Sequence, residues 1–236
     1  MFASLVSLAV AALPLVSAAA APKPGIILIG DSTVEQNAGW GPGFCNDTVG
    51  LATCTDLAVS GTTVISWQHQ PTQYNAALKA CTVPNTFATI QFGHNDQKIY
   101  NTSVYGADLT AFAKLIKTKG CTPIIITSLA RRNFVSAHVP DDILEPYALE
   151  AISVAESLGL TYLDLHQASL TYITKLGSTL SYEFNYQGTD HTHLDTMGQV
   201  YFGRMVADLL IAKLPMFKSF IVPNATMTKA EANGTL

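Results

Sequence analysis

Five short apolar runs alternate along this chain with segments whose apolar residues have helical spacing. The first run begins at Ile26 and ends in Gly30-Asp31-Ser32; the others cover residues 55–60, 86–92, 123–128 and 161–165. The helical segments cover residues 71–80, 107–119, 141–158, 167–176 and 196–214. Strands that alternate with helices predict a parallel sheet with helices packed on both of its faces. We therefore expect an α/β fold.

Length and charge limit the domain count and the partners. A chain of 236 residues is long enough for one domain with a substantial core. Its net charge is −4, and its largest basic cluster is the pair Arg131-Arg132. An acidic chain without a basic patch is a poor partner for nucleic acid or an anionic membrane surface. We expect one folded domain over residues 22–214 and a surface tail over residues 215–236.

The N-terminal residues 1–21 have the pattern of a secretory signal peptide. An apolar stretch is followed by small residues, with a cleavage site of A-x-A type near residues 18–21. Pro14 interrupts the apolar run, which argues against a membrane anchor. We therefore expect a secreted, extracellular protein.

Cysteines and glycosylation motifs agree with export. Four cysteines allow three pairings, and disulfides persist in oxidising compartments. Cys81 and Cys121 lie just before predicted strands, so they can bridge if those strands are neighbours, which leaves Cys45 to pair with Cys54. Free buried thiols remain the alternative. The Asn-x-Ser/Thr motifs are at Asn46, Asn101, Asn224 and Asn233.

Polar residues follow the predicted strands where each one ends. Ser32 follows the first strand, Gly61 the second and Asn95 the third, and the loop before the last helix contains Asp190 and His193. The carboxyl ends of parallel strands meet at one edge of a sheet, where open α/β sheets bind ligands. We therefore expect these residues to lie together.

These residue types suit acyl transfer. A serine hydroxyl is a weak nucleophile until a base takes its proton, and histidine is the usual base. We predict Ser32 as nucleophile, His193 as base and Asp190 as the carboxylate that orients the histidine. The oxyanion of the tetrahedral intermediate needs fixed donors. The backbone N–H groups of Ser32 and Gly61 and the side-chain amide of Asn95 are the candidates.

Four sequence blocks carry a resemblance to a known family. The blocks are Gly30-Asp31-Ser32-Thr33, Gly61, Gly93-His94-Asn95-Asp96 and Asp190-x-x-His193. In this order they resemble the SGNH (GDSL-type) hydrolase superfamily, and their finer wording, with Gly39-Trp40-Gly41, is similar to its rhamnogalacturonan acetylesterase branch. The resemblance implies a three-layer α/β/α, flavodoxin-like fold with a five-stranded parallel sheet. It also implies serine esterase chemistry without metal or cofactor, with the residue roles proposed above.

Two other functions remain open from the sequence. His191 and His193 with Asp190 have a spacing that suits zinc, and His94 with Asp96 could also be metal ligands, so that a metal-activated water would do the hydrolysis. A non-catalytic carbohydrate-binding protein would instead use the aromatic rings of Trp40, Trp67, Tyr100 and Tyr105 to stack on sugars. The Arg131-Arg132 pair fits a solvated or ion-paired surface, although it could also meet an acidic polysaccharide.

The sequence as a whole predicts a secreted, glycosylated, monomeric serine esterase. Its expected substrate is an acetylated plant cell-wall polysaccharide. Short acyl esters of another glycan or of a lipid are the alternative substrates.

Overall fold

The structure is a computed structural model that describes residues 23–236, so the predicted signal peptide lies outside the described residues. The strands are β1 (Gly25–Gly30), β2 (Thr53–Asp56), β3 (Thr86–Gln91), β4 (Thr122–Ile126), β5 (Phe134–Ser136), β6 (Val139–Pro140) and β7 (Thr161–Leu163). Five of them form one parallel sheet in the order β2-β1-β3-β4-β7, and β5 and β6 form an antiparallel pair.

Helices cover both faces of the parallel sheet. They are α1 (Gly41–Asp47), α2 (Val64–Gln68), α3 (Pro71–Ala80), α4 (Thr102–Thr118), α5 (Glu145–Ser157), α6 (Leu165–Ser181), α7 (Thr196–Lys213) and α8 (Ala225–Asn233). One core cluster joins α1, α6 and α7 to the sheet, and the other joins α2, α3, α4 and α5 to its opposite face. The predicted three-layer α/β/α fold is thereby confirmed.

The side chains of β1 explain why this strand is a continuous apolar run. Successive side chains of a strand point to opposite faces. Ile26 and Leu28 belong to the core under α1, α6 and α7, whereas Ile27 and Ile29 belong to the core under α2 to α5. A parallel strand buried on both faces needs apolar residues at every position.

The register between β1 and β3 determines where the functional loops emerge. Gly25 pairs with Thr86, and the pairing continues without a break to Gly30 opposite Gln91. Because β2 lies on the other side of β1, the chain changes direction across the sheet at the β1–β3 pair. Ligands bind at such a switch point in open α/β sheets.

Several element boundaries differ from the sequence-based expectation. Helix α4 begins at Thr102 because the side chain of Asn101 accepts a hydrogen bond from the backbone N–H of Val104. Helix α5 begins at Glu145, with a proline in its first turn where the missing N–H needs no partner. The short β5–β6 pair was not predicted, since neither strand is longer than three residues.

The C-terminal segment, predicted as a surface tail, packs on the domain. Phe217 and Ile221 are buried in the core beneath α7. Farther on, α8 follows, and the hydroxyl of Tyr172 donates to the backbone oxygen of Thr235 at 2.8 Å. The segment therefore contributes two core side chains that its mixed polarity did not indicate.

Two disulfides are present among the described residues. Cys45 in α1 is bonded to Cys54 in β2, and Cys81 is bonded to Cys121 just before β4. The second bridge joins the chain ahead of two neighbouring strands, β3 and β4. Both bridges fit an extracellular protein. Within residues 23–236, no helix has the length and apolar character needed to cross a membrane.

Helices α1 and α7 approach each other so closely that glycine is needed on both. A Cβ added to Gly203 would lie 2.4 Å from the backbone nitrogen of Phe44, and one added to Gly43 would lie 2.0 Å from the backbone oxygen of Gln199. Both neighbours are backbone atoms, which cannot move aside as a side chain does. Helix α7 directly follows the loop that carries His193, so the α1–α7 contact also helps to position that loop.

Gly203→Ala should lower the free energy of unfolding by about 1–3 kcal/mol, because the added methyl group overpacks the α1–α7 contact. Urea unfolding followed by circular dichroism measures the change. The control is Gly106→Ala in α4, where the added Cβ would meet only the movable end of the Glu150 side chain. Equal effects of the two substitutions would contradict the proposed backbone contact.

Candidate active site

The turn after β1 presents Ser32 at the carboxyl edge of the sheet. A Cβ on Gly30 would lie 2.5 Å from Val34 and 2.7 Å from the backbone oxygen of Gln91, so the turn requires glycine there. The residues after Ser32 form a turn, and α1 begins only at Gly41. A turn and not a helix therefore follows Ser32, which lies at the predicted edge of the sheet.

A chain of hydrogen bonds connects Ser32, His193 and Asp190. Nε2 of His193 lies 2.8 Å from Oγ of Ser32, and Nδ1 lies 2.7 Å from Oδ2 of Asp190. The other carboxylate oxygen of Asp190 accepts the backbone N–H groups of Thr192 and His193, each at 3.0 Å. These contacts hold both the carboxylate and the imidazole in one orientation.

The charge state of Asp190 determines where the protons lie in this chain of hydrogen bonds. Burial raises the pKa of Asp190, but the hydrogen bonds from the backbone and side chain of His193 and the backbone of Thr192 outweigh it, so the pKa is lowered. The ionised carboxylate can only accept, so Nδ1 of His193 carries the proton and donates it. Nε2 is then free to accept the Ser32 hydroxyl proton, as a general base requires.

Donors for a developing oxyanion face the same place. Nδ2 of Asn95 donates one hydrogen to the backbone oxygen of Thr62 at 3.0 Å, while Lys98 donates to Oδ1 at 3.0 Å. An amide nitrogen has two hydrogens, so one remains for a ligand. Within residues 23–236, the backbone N–H groups of Ser32 and Gly61 have no acceptor.

The backbone conformation of Gly61 and the hydrogen bonds of Asp96 position these donors. Gly61 has a φ of +78°, a conformation that favours glycine. Asp96 accepts the backbone N–H groups of Val64 and Gly93, each at 3.1 Å, and so holds the loop that carries Asn95. Asp96 therefore positions this loop.

The Arg131-Arg132 pair was expected at the surface, and for Arg132 this is wrong. Arg132 is completely buried, and it donates from Nε to Oδ1 of Asn185 and from a terminal nitrogen to the backbone oxygen of His193. Burial lowers its pKa to about 10, so it remains a cation at neutral pH. Arg131 donates to Oγ1 of Thr192 at 3.1 Å. The pair therefore clamps the loop that carries His193.

Polar residues behind Ser32 form a second network. The buried Asp31 accepts the backbone N–H and the hydroxyl of Thr33, at 2.9 and 2.8 Å. Gln91 donates to Oγ1 of Thr33 at 2.7 Å and accepts from the indole nitrogen of Trp40 at 2.8 Å. The loop on both sides of the serine is thus tied to the end of β3.

His94 is neutral despite its carboxylate neighbour. Burial, reinforced by the Arg131 cation, puts the pKa of His94 well below its usual range. Its Nδ1 lies 3.9 Å from Oδ2 of Asp31. Since the imidazole is uncharged, this contact is not an ion pair, and His94 acts as a polar wall of the site.

A cavity of about 200 Å³ lies over the serine. Its walls include Ser32, Gly61, Asn95 and His193, so it contains the nucleophile, the base and the oxyanion donors. The cations Lys98 and Arg131 border it as well. The structure thus brings together all the residues predicted for catalysis, with Asp190 directly behind His193.

The geometry also bears on the two other functions left open. Trp40, Trp67 and Tyr105 are buried in the core, so they are not available to stack on a sugar, whereas Tyr100 is only partly buried. Both nitrogens of His193 are engaged, and Nδ1 of His191 lies 3.1 Å from Nδ2 of Asn185. The described part of the chain contains no cluster of three or more His, Cys, Asp or Glu residues arranged for a metal ion.

Comparison with known proteins gives the following likenesses. The chain is 29% identical over 150 residues to the rhamnogalacturonan acetylesterase RhgT of Bacillus subtilis, a match that spans 59% of this chain and 64% of that protein. The chain thus spans less than two thirds of that relative's length. No protein-family model matches the chain.

Solved structures share the fold. The Bacillus subtilis protein YXIM matches with a TM-score of 0.71 and 20% identity, over 84% of this chain and 57% of that one. A lipase/acylhydrolase from Enterococcus faecalis matches with a TM-score of 0.59 and 15% identity, over 86% and 100%. Axe2, an acetylxylan esterase from Geobacillus stearothermophilus, matches with a TM-score of 0.59 and 15% identity, over 80% and 93%.

The resemblance to the SGNH hydrolase superfamily is confirmed. The four SGNH blocks predicted from the sequence are the segments that border the cavity or hold it in place. Ser32, Gly61 and Asn95 line it, and Asp190 supports the His193 that closes it.

Sequence reasoning missed three contributors to this site. Arg132 clamps the histidine loop, Gln91 braces the serine loop, and Lys98 orients the Asn95 amide. A signal existed for two of them, because Gln91 is a polar residue near the end of the third predicted strand and Arg132 follows the fourth at the same sheet edge. Lys98 carried no such signal.

Asp31→Asn should change the pH dependence of stability. Burial raises the pKa of Asp31 from 3.8 to about 6, despite its hydrogen bonds from Thr33. Between these pH values the folded state holds a proton that the unfolded state has lost, so wild-type stability falls as pH rises. At 1.36 kcal/mol per pKa unit the full difference is about 3 kcal/mol, of which the variant should gain about 2 kcal/mol relative to wild type between pH 4 and pH 7.

Urea unfolding at several pH values from 4 to 7 measures this difference. Asp141→Asn is the control, because Asp141 lies exposed at the surface. A stability difference between Asp31→Asn and wild type that stays constant over this range would contradict the raised pKa.

Proposed function

We propose that this chain is a serine ester hydrolase that removes acetyl groups from plant cell-wall polysaccharide. The observation that carries the proposal is the Ser32–His193–Asp190 hydrogen-bond chain in a cavity that also contains free oxyanion donors. The similarity to a relative named as a rhamnogalacturonan acetylesterase supports the substrate class. The two disulfides support secretion, and we propose that the secreted form acts as a monomer without a cofactor.

The reaction follows from the proton positions. As Oγ of Ser32 attacks the ester carbonyl carbon, its proton passes to Nε2 of His193, and the charge of Asp190 stabilises the imidazolium. The carbonyl oxygen becomes an oxyanion between the N–H groups of Ser32, Gly61 and Asn95. His193 then gives its proton to the departing sugar oxygen, which leaves an acetyl-serine. A water molecule, activated by His193, releases acetate and restores Ser32.

The cavity favours a short acyl group. It has a volume of about 200 Å³, and no apolar side chain lines it. A long acyl chain would leave its hydrocarbon against polar and charged groups, which would lose the benefit of apolar burial. Acetyl therefore fits better than a fatty acyl group.

Ser32→Ala should lower the turnover of nitrophenyl acetate by roughly 10⁴- to 10⁶-fold, because the nucleophile is lost. The fold should survive, as circular dichroism would report. A sulfonyl fluoride should label wild-type Ser32, as peptide mass spectrometry would report, and the exposed Ser136→Ala variant should behave as wild type. Retained activity in Ser32→Ala, or the absence of an adduct on Ser32, would refute the serine mechanism.

The substrate class is tested by acetate release from acetylated xylan, acetylated pectin and acetylated rhamnogalacturonan, with a long-chain nitrophenyl ester for comparison. We expect release from at least one polymer and little cleavage of the long-chain ester. A clear preference for the long-chain ester would replace the polysaccharide with a lipid.

Asn95→Ala should lower kcat by roughly 10²–10³-fold, since it removes one oxyanion donor. KM should change little, because the donor acts on the transition state. Steady-state kinetics with nitrophenyl acetate gives both constants. Gln97→Ala, on the same loop but outside the cavity, is the matched control. A change in KM alone would remove Asn95 from the oxyanion hole.

A further inference from the structure

A second cavity adjoins the first on the far side of the catalytic histidine. Its volume is about 280 Å³, and it shares Ser60 and His193 with the cavity over Ser32. Its other walls include Glu35, Asn37 and Tyr186. The two cavities therefore form one groove that the catalytic residues divide.

The mechanism determines which half of the groove receives which half of an ester. The carbonyl oxygen must lie between Ser32, Gly61 and Asn95, so the acyl group occupies the first cavity. His193 must reach the departing alcohol oxygen to protonate it. Because His193 borders both cavities, the alcohol, which is the sugar, extends into the second one.

The lining of the second cavity suits a sugar ring. The Tyr186 side chain is 46% exposed, so its ring is available to a ligand. The amide groups of Asn37 and Gln187 and the carboxyl groups of Glu35 and Asp190 can bond to hydroxyl groups. No cation lines this cavity, whereas Lys98 and Arg131 both border the other one.

The position of Tyr186 is tied to the catalytic loop. Its backbone N–H donates to the backbone oxygen of His193 at 3.0 Å, and the neighbouring Asn185 forms a β-bridge with Leu194. The buried Arg132 donates a hydrogen bond from Nε to Oδ1 of Asn185. The ring is therefore presented by the same clamped segment that carries the base, which fixes the distance between them.

We propose that this second cavity binds an uncharged sugar ring of the substrate, with Tyr186 as its stacking platform. The proposal rests on the function proposed above and adds the subsite that holds the acetylated sugar. The carboxyl group of Glu35 borders this cavity, and no cation lines it among the described residues, so Glu35 would repel the carboxylate of a uronic acid; the ring that carries the acetyl group is therefore neutral.

The test compares Tyr186→Ala with Tyr186→Phe on three substrates. On an acetylated xylo-oligosaccharide, Tyr186→Ala should lower kcat/KM by roughly 3- to 10-fold through a higher KM, and Tyr186→Phe should keep most of the activity because it retains the ring. On ethyl acetate, whose alcohol has no ring to stack on Tyr186, Tyr186→Ala should lose less activity than on the xylo-oligosaccharide. Acetylated oligogalacturonide should be cleaved with a lower kcat/KM than the xylo-oligosaccharide by the wild type.

Any other result contradicts one part of the proposal. An equal loss on ethyl acetate would make Tyr186 a structural residue, and no loss on the xylo-oligosaccharide would remove it from the subsite. A higher kcat/KM on the oligogalacturonide would overturn the neutral ring.

A binding measurement separates this proposal from the function on which it rests. Calorimetry with the acetylated xylo-oligosaccharide should show binding to Ser32→Ala and weaker binding to the Ser32→Ala, Tyr186→Ala double variant. If the wild type hydrolyses no ester but this difference remains, the proposed function fails and the subsite stands. If the wild type hydrolyses esters and the difference is absent, only the subsite fails.

Discussion

The unbroken parallel pairing of β1 with β3 is the constraint on which the rest of the site depends. It sets Gly30 opposite Gln91, so that the serine loop and the Asn95 loop leave the sheet side by side. A shift by one residue would turn every side chain of β1 to the other face. The apolar cores on both faces and the contact between Gln91 and Thr33 all require the observed register.

A buried cation holds the second half of the site. His193 lies on a loop and not on the sheet, and loops move more than the elements that they connect. Arg132 counters this mobility by bonding to Asn185 and to the backbone oxygen of His193. Breaking such a buried charged contact is costly, because it leaves a charge without a partner. The imidazole is therefore held against Ser32 before any substrate binds.

Two aspartates near Ser32 show how environment separates chemical roles. Asp190 accepts several hydrogen bonds that keep its pKa low, so it remains ionised beside His193. Asp31 is fully buried, and its pKa is raised to about 6. Asp190 can stabilise a histidine cation, whereas Asp31 supports the loop that carries Ser32. The same residue type therefore performs catalysis in one position and structural support in the other.

The sequence by itself determined the layered fold and the residues that meet at the site. Doubly buried strands require continuous apolar runs, and parallel strands deliver their following residues to one edge, so Ser32, Gly61 and Asn95 could be placed from local patterns alone. The pairing of Cys81 with Cys121 was open from the sequence, and it depends on β3 and β4 being neighbours.

Only the tertiary structure decided the remaining features, because they depend on contacts between residues far apart in the chain. Arginine is a residue type that usually lies at the surface. Arg132 is buried because the loop of His193 folds over it. Phe217 lies in a segment of mixed polarity, and it is buried against the Phe87 ring of β3, whose centroid is 4.8 Å from its own. Tyr186 gained its place beside the histidine through backbone bonds that no periodicity reveals.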